Sequence, residues 1–330
     1  MSLLEINDLN IEIRRGRRVT RPVRGVSLQV RPGEIVGLVG ETGSGKTLTG
    51  LAVLGLLPSG AAVTGTVRLA GEELIGARQR RLREIRGGTV AMIFQNPGTA
   101  FDPVRTIGAQ FERIIRVHQR CSARAARERA AKLLQEVELT DTRRVLDAYP
   151  HQLSGGMLQR AMIALALSCG PKLLIADEAT SALDVTVAQQ VRRLLLRLQT
   201  NHGFGVLFVT HNLAEAYDLC DQMYVLYAGQ VAEAGPTAAV FEHPAHPYTR
   251  ALLAALPSPD RVGMKLAALP GSVPANVVDV RGCVFTNRCP VAVEVCHHTP
   301  APLVSAETPG GYAAPHTTAC HLAKTSGGTP

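Results

Sequence analysis

Eight consecutive residues, Gly40-Glu41-Thr42-Gly43-Ser44-Gly45-Lys46-Thr47, fit the pattern G-x-x-x-x-G-K-[ST]. They stand between the apolar run IVGLV at Ile35–Val39 and the helical run LTGLAVLGLL. No other feature constrains the fold as much, because such a loop works only where a buried strand delivers it to a helix N-terminus. Glycines let the backbone curl until successive N–H groups converge on phosphate oxygens, and the start of the helix adds positive potential. Lys46 is placed to neutralise the β- and γ-phosphates, and the Thr47 hydroxyl to ligate Mg²⁺.

A second element follows the same logic. Leu173-Leu174-Ile175-Ala176 reads as a buried strand that ends in Asp177-Glu178. Asp177 at the carboxyl end is placed to hold Mg²⁺, and Glu178 to orient and polarise an attacking water, since phosphoryl transfer depends on positioning and charge neutralisation. Strand-like runs at 35–39, 173–176 and 206–209 alternate with helical stretches at Thr47–Leu57 and Val191–Leu198, which predicts an α/β domain with a largely parallel core sheet. Val191, Leu194, Leu195 and Leu198 form one helical stripe, the pattern of core packing. Over residues 97–160 the strand signals pause, and Ala126, Ala130, Leu133, Leu134 and Val137 share one face of a helix within Ser122–Leu139. A helical insertion in the core is expected there.

The chain has 330 residues, of which 46% are hydrophobic and 19% charged, a composition that suits about two folded units rather than disorder. The opening MSLLEINDLN carries Glu5 and Asp8 and no signal-peptide apolar stretch, so export is not expected. The apolar run Ala161–Leu167 is too short to span a bilayer, so any membrane role is expected to run through partners. Net charge is +8, with arginine clusters at 14–24 and 78–86 that suit nucleotides, nucleic acid or an anionic membrane face, or are plain solvated surface.

Proline marks a boundary, with 12 of the 20 prolines falling in residues 243–330. The expected organisation is a nucleotide-binding domain over 1–242, with its helical subdomain at about 97–160, and a loop-rich extension over 243–330. Seven cysteines without a secretory signal point to a reducing compartment and favour metal sites over disulfides. Cys121, Cys169 and Cys220 are scattered and read as structural.

Between the two phosphate elements lies Leu153-Ser154-Gly155-Gly156-Met157-Leu158-Gln159-Arg160, followed by AMIALAL. Here the chain resembles ATP-binding-cassette (ABC) ATPases, whose hallmark is LSGGQ, and the LSGGMLQR variant resembles the oligopeptide, dipeptide and nickel importer branch. The remaining parts follow in order: Gln95 in MIFQNP, the loop Ser181-Ala182-Leu183-Asp184, and His211 after VLFVT. The resemblance implies that ATP with Mg²⁺ occupies the phosphate loop and that Ser154, Gly155 and Gly156 close over ATP held by an opposite subunit. It further implies that Gln95 touches Mg²⁺, that Asp184 organises the subunit interface and that His211 contacts the γ-phosphate. Expected partners are two integral membrane permease subunits, a second ABC ATPase (a similar chain slightly favoured over an identical one) and, indirectly, an extracytoplasmic solute-binding protein. The implied location is peripheral, on the cytoplasmic face of the inner membrane, and the implied activity is ATP hydrolysis powering import. Peptide is favoured as cargo over nickel. A soluble cassette ATPase acting on nucleic acid or ribosomes is the alternative from another class, but paired-Cys modules, a second cassette and a long coiled coil do not appear in the sequence, and no nucleic acid is expected. The family usually stacks an aromatic ring on adenine, yet no Phe, Tyr or Trp precedes Phe94. Arg17 or Arg18 is the expected substitute, since a guanidinium plane stacks on π faces.

The run Phe241-Glu242-His243-Pro244-Ala245-His246-Pro247-Tyr248-Thr249 and the following LLAALPSP are similar to the segment after the cassette in oligopeptide and dipeptide importers. Beyond them Cys283, Cys289, Cys296 and Cys320 make C-x5-C-x6-C-x23-C. Four thiolates hold a [4Fe–4S] cluster or a tetrahedral zinc, and free thiols are the third reading. The spacing lacks the C-x₂₋₄-C pairs of zinc fingers, and the resemblance favours iron and sulfur. At this distance in sequence from the ATP motifs the cysteines give no ground for a catalytic role. A structural or docking part is expected, with Cys289→Ser leaving ATP binding nearly intact.

Overall fold

The computed structural model describes residues 2–181, 183–256, 269, 271–274, 280–309, 312 and 314–323. Ala182, the end of LLAALPSP and the tail from Thr325 lie outside the described residues. Along the chain the strands are β1 (Leu4–Arg15), β2 (Arg18–Val30), β3 (Ile35–Val39), β4 (Ala61–Leu69), β5 (Glu72–Glu73), β6 (Val90–Ile93), β7 (Leu173–Asp177), β8 (Gly205–Thr210), β9 (Gln222–Tyr227), β10 (Gln230–Pro236), β11 (Val304–Ser305) and β12 (Thr317–Thr318). The helices are α1 (Lys46–Leu54), α2 (Gln79–Ile85), α3 (Pro97–Ala100), α4 (Ile107–His118), α5 (Ala123–Glu136), α6 (Thr142–Asp147), α7 (Gly155–Leu167), α8 (Val185–His202), α9 (Leu213–Leu219), α10 (Thr237–Glu242), α11 (Pro247–Ala254) and α12 (Glu294–His298). These elements form an α/β fold whose chain divides into two compact units.

One unit holds Met1–Leu3, Val30–Glu34 and Gly76–Phe208. Its strand order is β8-β7-β6, with β6 and β7 parallel and Val90 opposite Leu173. Every residue of β7 is buried, as continuous apolar runs in parallel sheets require. The expected helical stretch at 97–160 contains α3 to α6 and the start of α7. Each of the longer helices begins at a residue whose side-chain oxygen accepts an otherwise orphaned amide: Thr106 from Ala109, Ser122 from Ala125, Asp141 from Arg144 and Ser154 from Met157. The faces these caps orient are apolar. Helix α4 buries Ile107, Phe111 and Ile115, and α5 buries Ala126, Ala130, Leu133 and Leu134, the stripe that the sequence spacing marks.

The other unit holds Leu4–Gln29, Ile35–Ile75 and Val209–Pro330. Strand β3 pairs in parallel with β9, placing Val39 opposite Val225, and Gly37 lets α9 approach, since a Cβ there would stand 3.0 Å from the Cys220 sulfur. An antiparallel sheet, β2-β1-β4-β5, is an addition to the expected parallel core. Its long strands β1 and β2 alternate buried and exposed positions only intermittently, and a bulge between Asn7 and Asn10 breaks the period.

The extension joins this same unit through its edge. Strand β10 runs antiparallel to β9 and then pairs with β12, which pairs with β11, so residues beyond 300 complete a sheet begun before 240. The compact units therefore cut the chain elsewhere than at 242/243. Beneath this edge Glu233 is fully buried and accepts from the amides of Ala245 and His246 at 2.7 and 3.0 Å, while His316 meets its carboxylate at 2.7 Å.

Candidate active site

The phosphate loop leaves β3 at Val39 and enters α1 at Lys46. Its shape is set by glycine. Gly40, Gly43 and Gly45 have φ of 155°, 85° and 100°, and a Cβ at Gly45 would lie 2.4 Å from the Pro22 carbonyl oxygen. Lys46 is 4% exposed, and its ammonium donates to the carbonyls of Gly40 and Glu41 at 2.8 and 2.9 Å. The Ser44 backbone is pinned by the Gly229 amide at 3.0 Å, and its buried hydroxyl has no partner within the protein. Thr42, Gly43 and Thr47 face outward. A buried ammonium, a buried hydroxyl with no partner within the protein and an exposed glycine loop at a helix N-terminus make a donor-rich set, the composition that fits a bound polyphosphate.

The first variable residue of the loop is gripped from outside. The Glu41 amide donates to the Tyr248 hydroxyl at 3.0 Å, and its carboxylate receives both terminal nitrogens of Arg288 at 2.8 and 3.0 Å. Burial pushes the Tyr248 phenol up, and the Glu41 carboxylate holds the Arg288 guanidinium well above its usual pKa. Neither Tyr248 nor Arg288 had a role by sequence reasoning. Tyr248 stands in a segment noted only for its likeness, and Arg288 lies 247 residues from its partner with no motif around it except the neighbouring Cys289.

In the other unit, Asp177 ends β7 and is 5% exposed, and Glu178 follows with φ 45°, an uncommon conformation for a side-chain-bearing residue. The Gln95 amide donates to Glu178 at 2.7 Å, joining two residues singled out separately in the sequence. The turn after Glu178 folds back so that the Ser181 hydroxyl donates to its carbonyl at 3.0 Å. Gln159, in the signature helix, is 1% exposed and donates to the Ala179 carbonyl at 2.7 Å, which fixes α7 against this acidic turn. Sequence reading quoted Gln159 without a role, because one amide on a helix gives no sign of where it points. Ser154 caps α7 and leaves Gly155 exposed, while a Cβ at Gly156 would stand 3.2 Å from Val187 at the start of α8, whose cap is Asp184. His211 is exposed directly after β8. Arg17 and Arg18 are exposed where β1 turns into β2.

Cys283, Cys289, Cys296 and Cys320 line one small cavity with Phe285 and His321, and all are free thiols. Burial pushes Cys289 and Cys320 above the ordinary thiol range, and the neighbouring cysteines push them further. Among the described residues no set of three or more His, Cys, Asp or Glu side chains is close enough to hold a single metal ion. Four thiols around one cavity are the soft donor type that both tetrahedral zinc and a [4Fe–4S] cluster use.

Comparison with known proteins identifies the family of the chain. Residues 23–181 match the ABC transporter family, and residues 232–296 match the C-terminal region of oligopeptide/dipeptide transporters. The probable D,D-dipeptide transport ATP-binding protein DdpD of Escherichia coli (strain K12) is 47% identical over 91% of this chain and 92% of its own length. The dipeptide transport ATP-binding protein DppD of the same organism is 43% identical over 90% and 91%. Among solved structures, a dimeric post-hydrolysis state of the ATP-binding cassette MJ0796 bound to ADP and Pi superimposes with a TM-score of 0.63 at 26% identity, covering 71% of this chain and 98% of the cassette. The phosphate loop, the acidic turn, the signature helix and a likeness that runs through the C-terminal region lead to one conclusion: the chain belongs to the ATP-binding subunits of ABC transporters.

Proposed function

We propose that this chain hydrolyses ATP to power import of di- or oligopeptides through a membrane complex. The observation that carries the reading is the 47% identity with a D,D-dipeptide transport protein over 91% of the chain, together with the matched transporter C-terminal region. In this reading Lys46 and the loop amides bind the β- and γ-phosphates. Glu178, held by Gln95, orients the attacking water, and His211 supports the γ-phosphate. Thr47 and Asp177 supply the hard oxygen donors that suit Mg²⁺, and the ion when bound neutralises phosphate charge. Ser154, Gly155 and Gly156 serve ATP of a second cassette, so the active form is a dimer. Arg17 or Arg18 stacks on adenine, and the double alanine variant should lose both ATP affinity and preference over GTP.

Two permease subunits anchor the chain at the cytoplasmic face of the inner membrane. Among the described residues no helix is long and apolar enough to cross a membrane. The cassette comprises residues 1–242 and the extension 243–330. Cys283, Cys289, Cys296 and Cys320 hold a [4Fe–4S] cluster that, when bound, supplies the organising centre a proline-rich segment lacks. Protein purified without oxygen should be brown and carry about four irons per chain, and Cys289→Ser should lose both. The cargo is tested by reconstituting the chain with its permeases and solute-binding protein in vesicles. ATP-dependent uptake of labelled dipeptide is expected, and uptake of nickel alone would overturn the peptide assignment.

A further inference from the structure

Folding brings together Glu41 and Arg288, 247 positions apart in sequence, and so ties the cysteine segment to the phosphate loop. Two linkages run from that segment to the loop. In the first, Arg288 immediately precedes Cys289 and pairs in both arms with the Glu41 carboxylate. In the second, Phe285 is 1% exposed and packs edge-on to Tyr227 at 5.1 Å and tilted against Tyr248 at 5.5 Å, and Tyr248 receives the Glu41 amide.

This pair differs from the surface ion pairs of the chain. The Arg288 side chain is 7% exposed and its partner 25%, whereas Arg14, paired with Glu12, is 70% exposed. A solvated pair contributes little, but a desolvated guanidinium fork fixes both distance and orientation, and leaving either half alone is costly. Its placement is set by bonds through the backbone of the cysteine segment. The Cys283 amide donates to the Cys296 carbonyl at 2.8 Å, and the Thr286 hydroxyl bridges the carbonyls of both at 2.8 Å, clamping the turn that ends at Arg288.

We propose that Arg288 is a positioning residue for the phosphate loop, so that the order of the four-cysteine segment sets how tightly the loop holds ATP. This deepens the ATPase reading and rests on it. Glu41 is the second residue of the loop, and Lys46 already donates to its carbonyl, so a shift of Glu41 moves the cation that meets the phosphates.

The test uses the full chain, loaded anaerobically, with a fluorescent ATP analogue, and steady-state hydrolysis in the permease complex. Arg288→Gln and Glu41→Gln should each weaken analogue binding and raise KM about tenfold with kcat within about twofold. The double variant should be no worse than either single one, and Cys289→Ser should reproduce the same loss. Additive losses, a fall in kcat with KM unchanged, or a Cys289→Ser chain that binds ATP normally would overturn the proposal. Amide hydrogen exchange on the nucleotide-free chain separates this idea from the ATPase reading. Arg288→Gln and Cys289→Ser should speed exchange at Glu41–Ser44, and unchanged protection there would refute the coupling whatever the chain binds. A wild-type chain that binds no ATP, with loop protection lost in both variants, would sink the ATPase reading alone.

Discussion

The phosphate loop and the cysteine segment are both irregular, and they are held in opposite ways. Eight neighbouring residues specify the loop: glycine backbone conformations curl it, and Lys46 bonds to carbonyls five and six positions back. The cysteine segment has only a short helix, α12, and the two-residue strands β11 and β12. Its order comes from remote partners: Glu233 to His316, Glu41 to Arg288, and Phe285 among Tyr227, Tyr248 and His246. A loop curled by its own glycines fails from one misplaced methyl group, whereas a segment ordered by remote partners fails when a single buried partner is removed.

Removing such a partner gives the largest expected effect. Glu233→Ala strands His316 and two backbone amides in a buried site, so the extension should lose about 3–5 kcal/mol of stability. Limited proteolysis should then cut near residues 283–320 first. Equal protection in variant and wild type would mean the segment is held some other way. On the local side, Gly45→Ala forces a Cβ against the Pro22 carbonyl and a φ near 100°, and ATP affinity should fall about ten- to a hundredfold with the melting of the rest little changed.

A pH dependence sharpens the contrast. Burial lowers the His246 pKa from 6.5 to about 4. The unfolded chain therefore takes up a proton that the folded imidazole refuses, and stability contributed by the neutral ring falls as pH drops from 6.5 toward 4. The slope is at most about 1.4 kcal/mol per pH unit. The Nδ1 atom accepts the Tyr248 amide at 3.0 Å, so His246→Asn retains an acceptor while removing the titration. The gap in melting temperature between pH 7 and pH 5 should shrink in that variant, and an unchanged gap would assign the acid sensitivity elsewhere. The smallest effect concerns local caps. Ser122→Ala and Ser154→Ala each remove a helix cap and should cost about 1 kcal/mol, but only Ser154→Ala should slow hydrolysis in the complex. Equal rates in both variants would reduce Ser154 to a cap.

The same physical division explains what could be read in advance. Strand β3, the loop, α1, β7 and the stripe on α8 each depend on residues within about one helical length of one another, and periodicity exposes them. The antiparallel β1 and β2 were hidden by their irregular alternation. Glu41 stood in the motif, Glu178 at the end of a buried strand run and Gln95 in a segment known by order and likeness; the bond between Gln95 and Glu178 is a property of the fold. Tyr248, Gln159 and Arg288 owe their places to partners 20 to 247 residues away, and no local pattern encodes such a distance.

The central claim is that Glu178 and its Gln95 partner serve hydrolysis while the glycine loop serves binding. Glu178→Gln, assembled with the permease subunits, separates the two most directly. Turnover measured alongside ATP-analogue binding should fall at least about a hundredfold with affinity preserved, because only the water-orienting carboxylate is lost. Near wild-type hydrolysis in that complex, or loss of binding in step with turnover, would contradict the assignment.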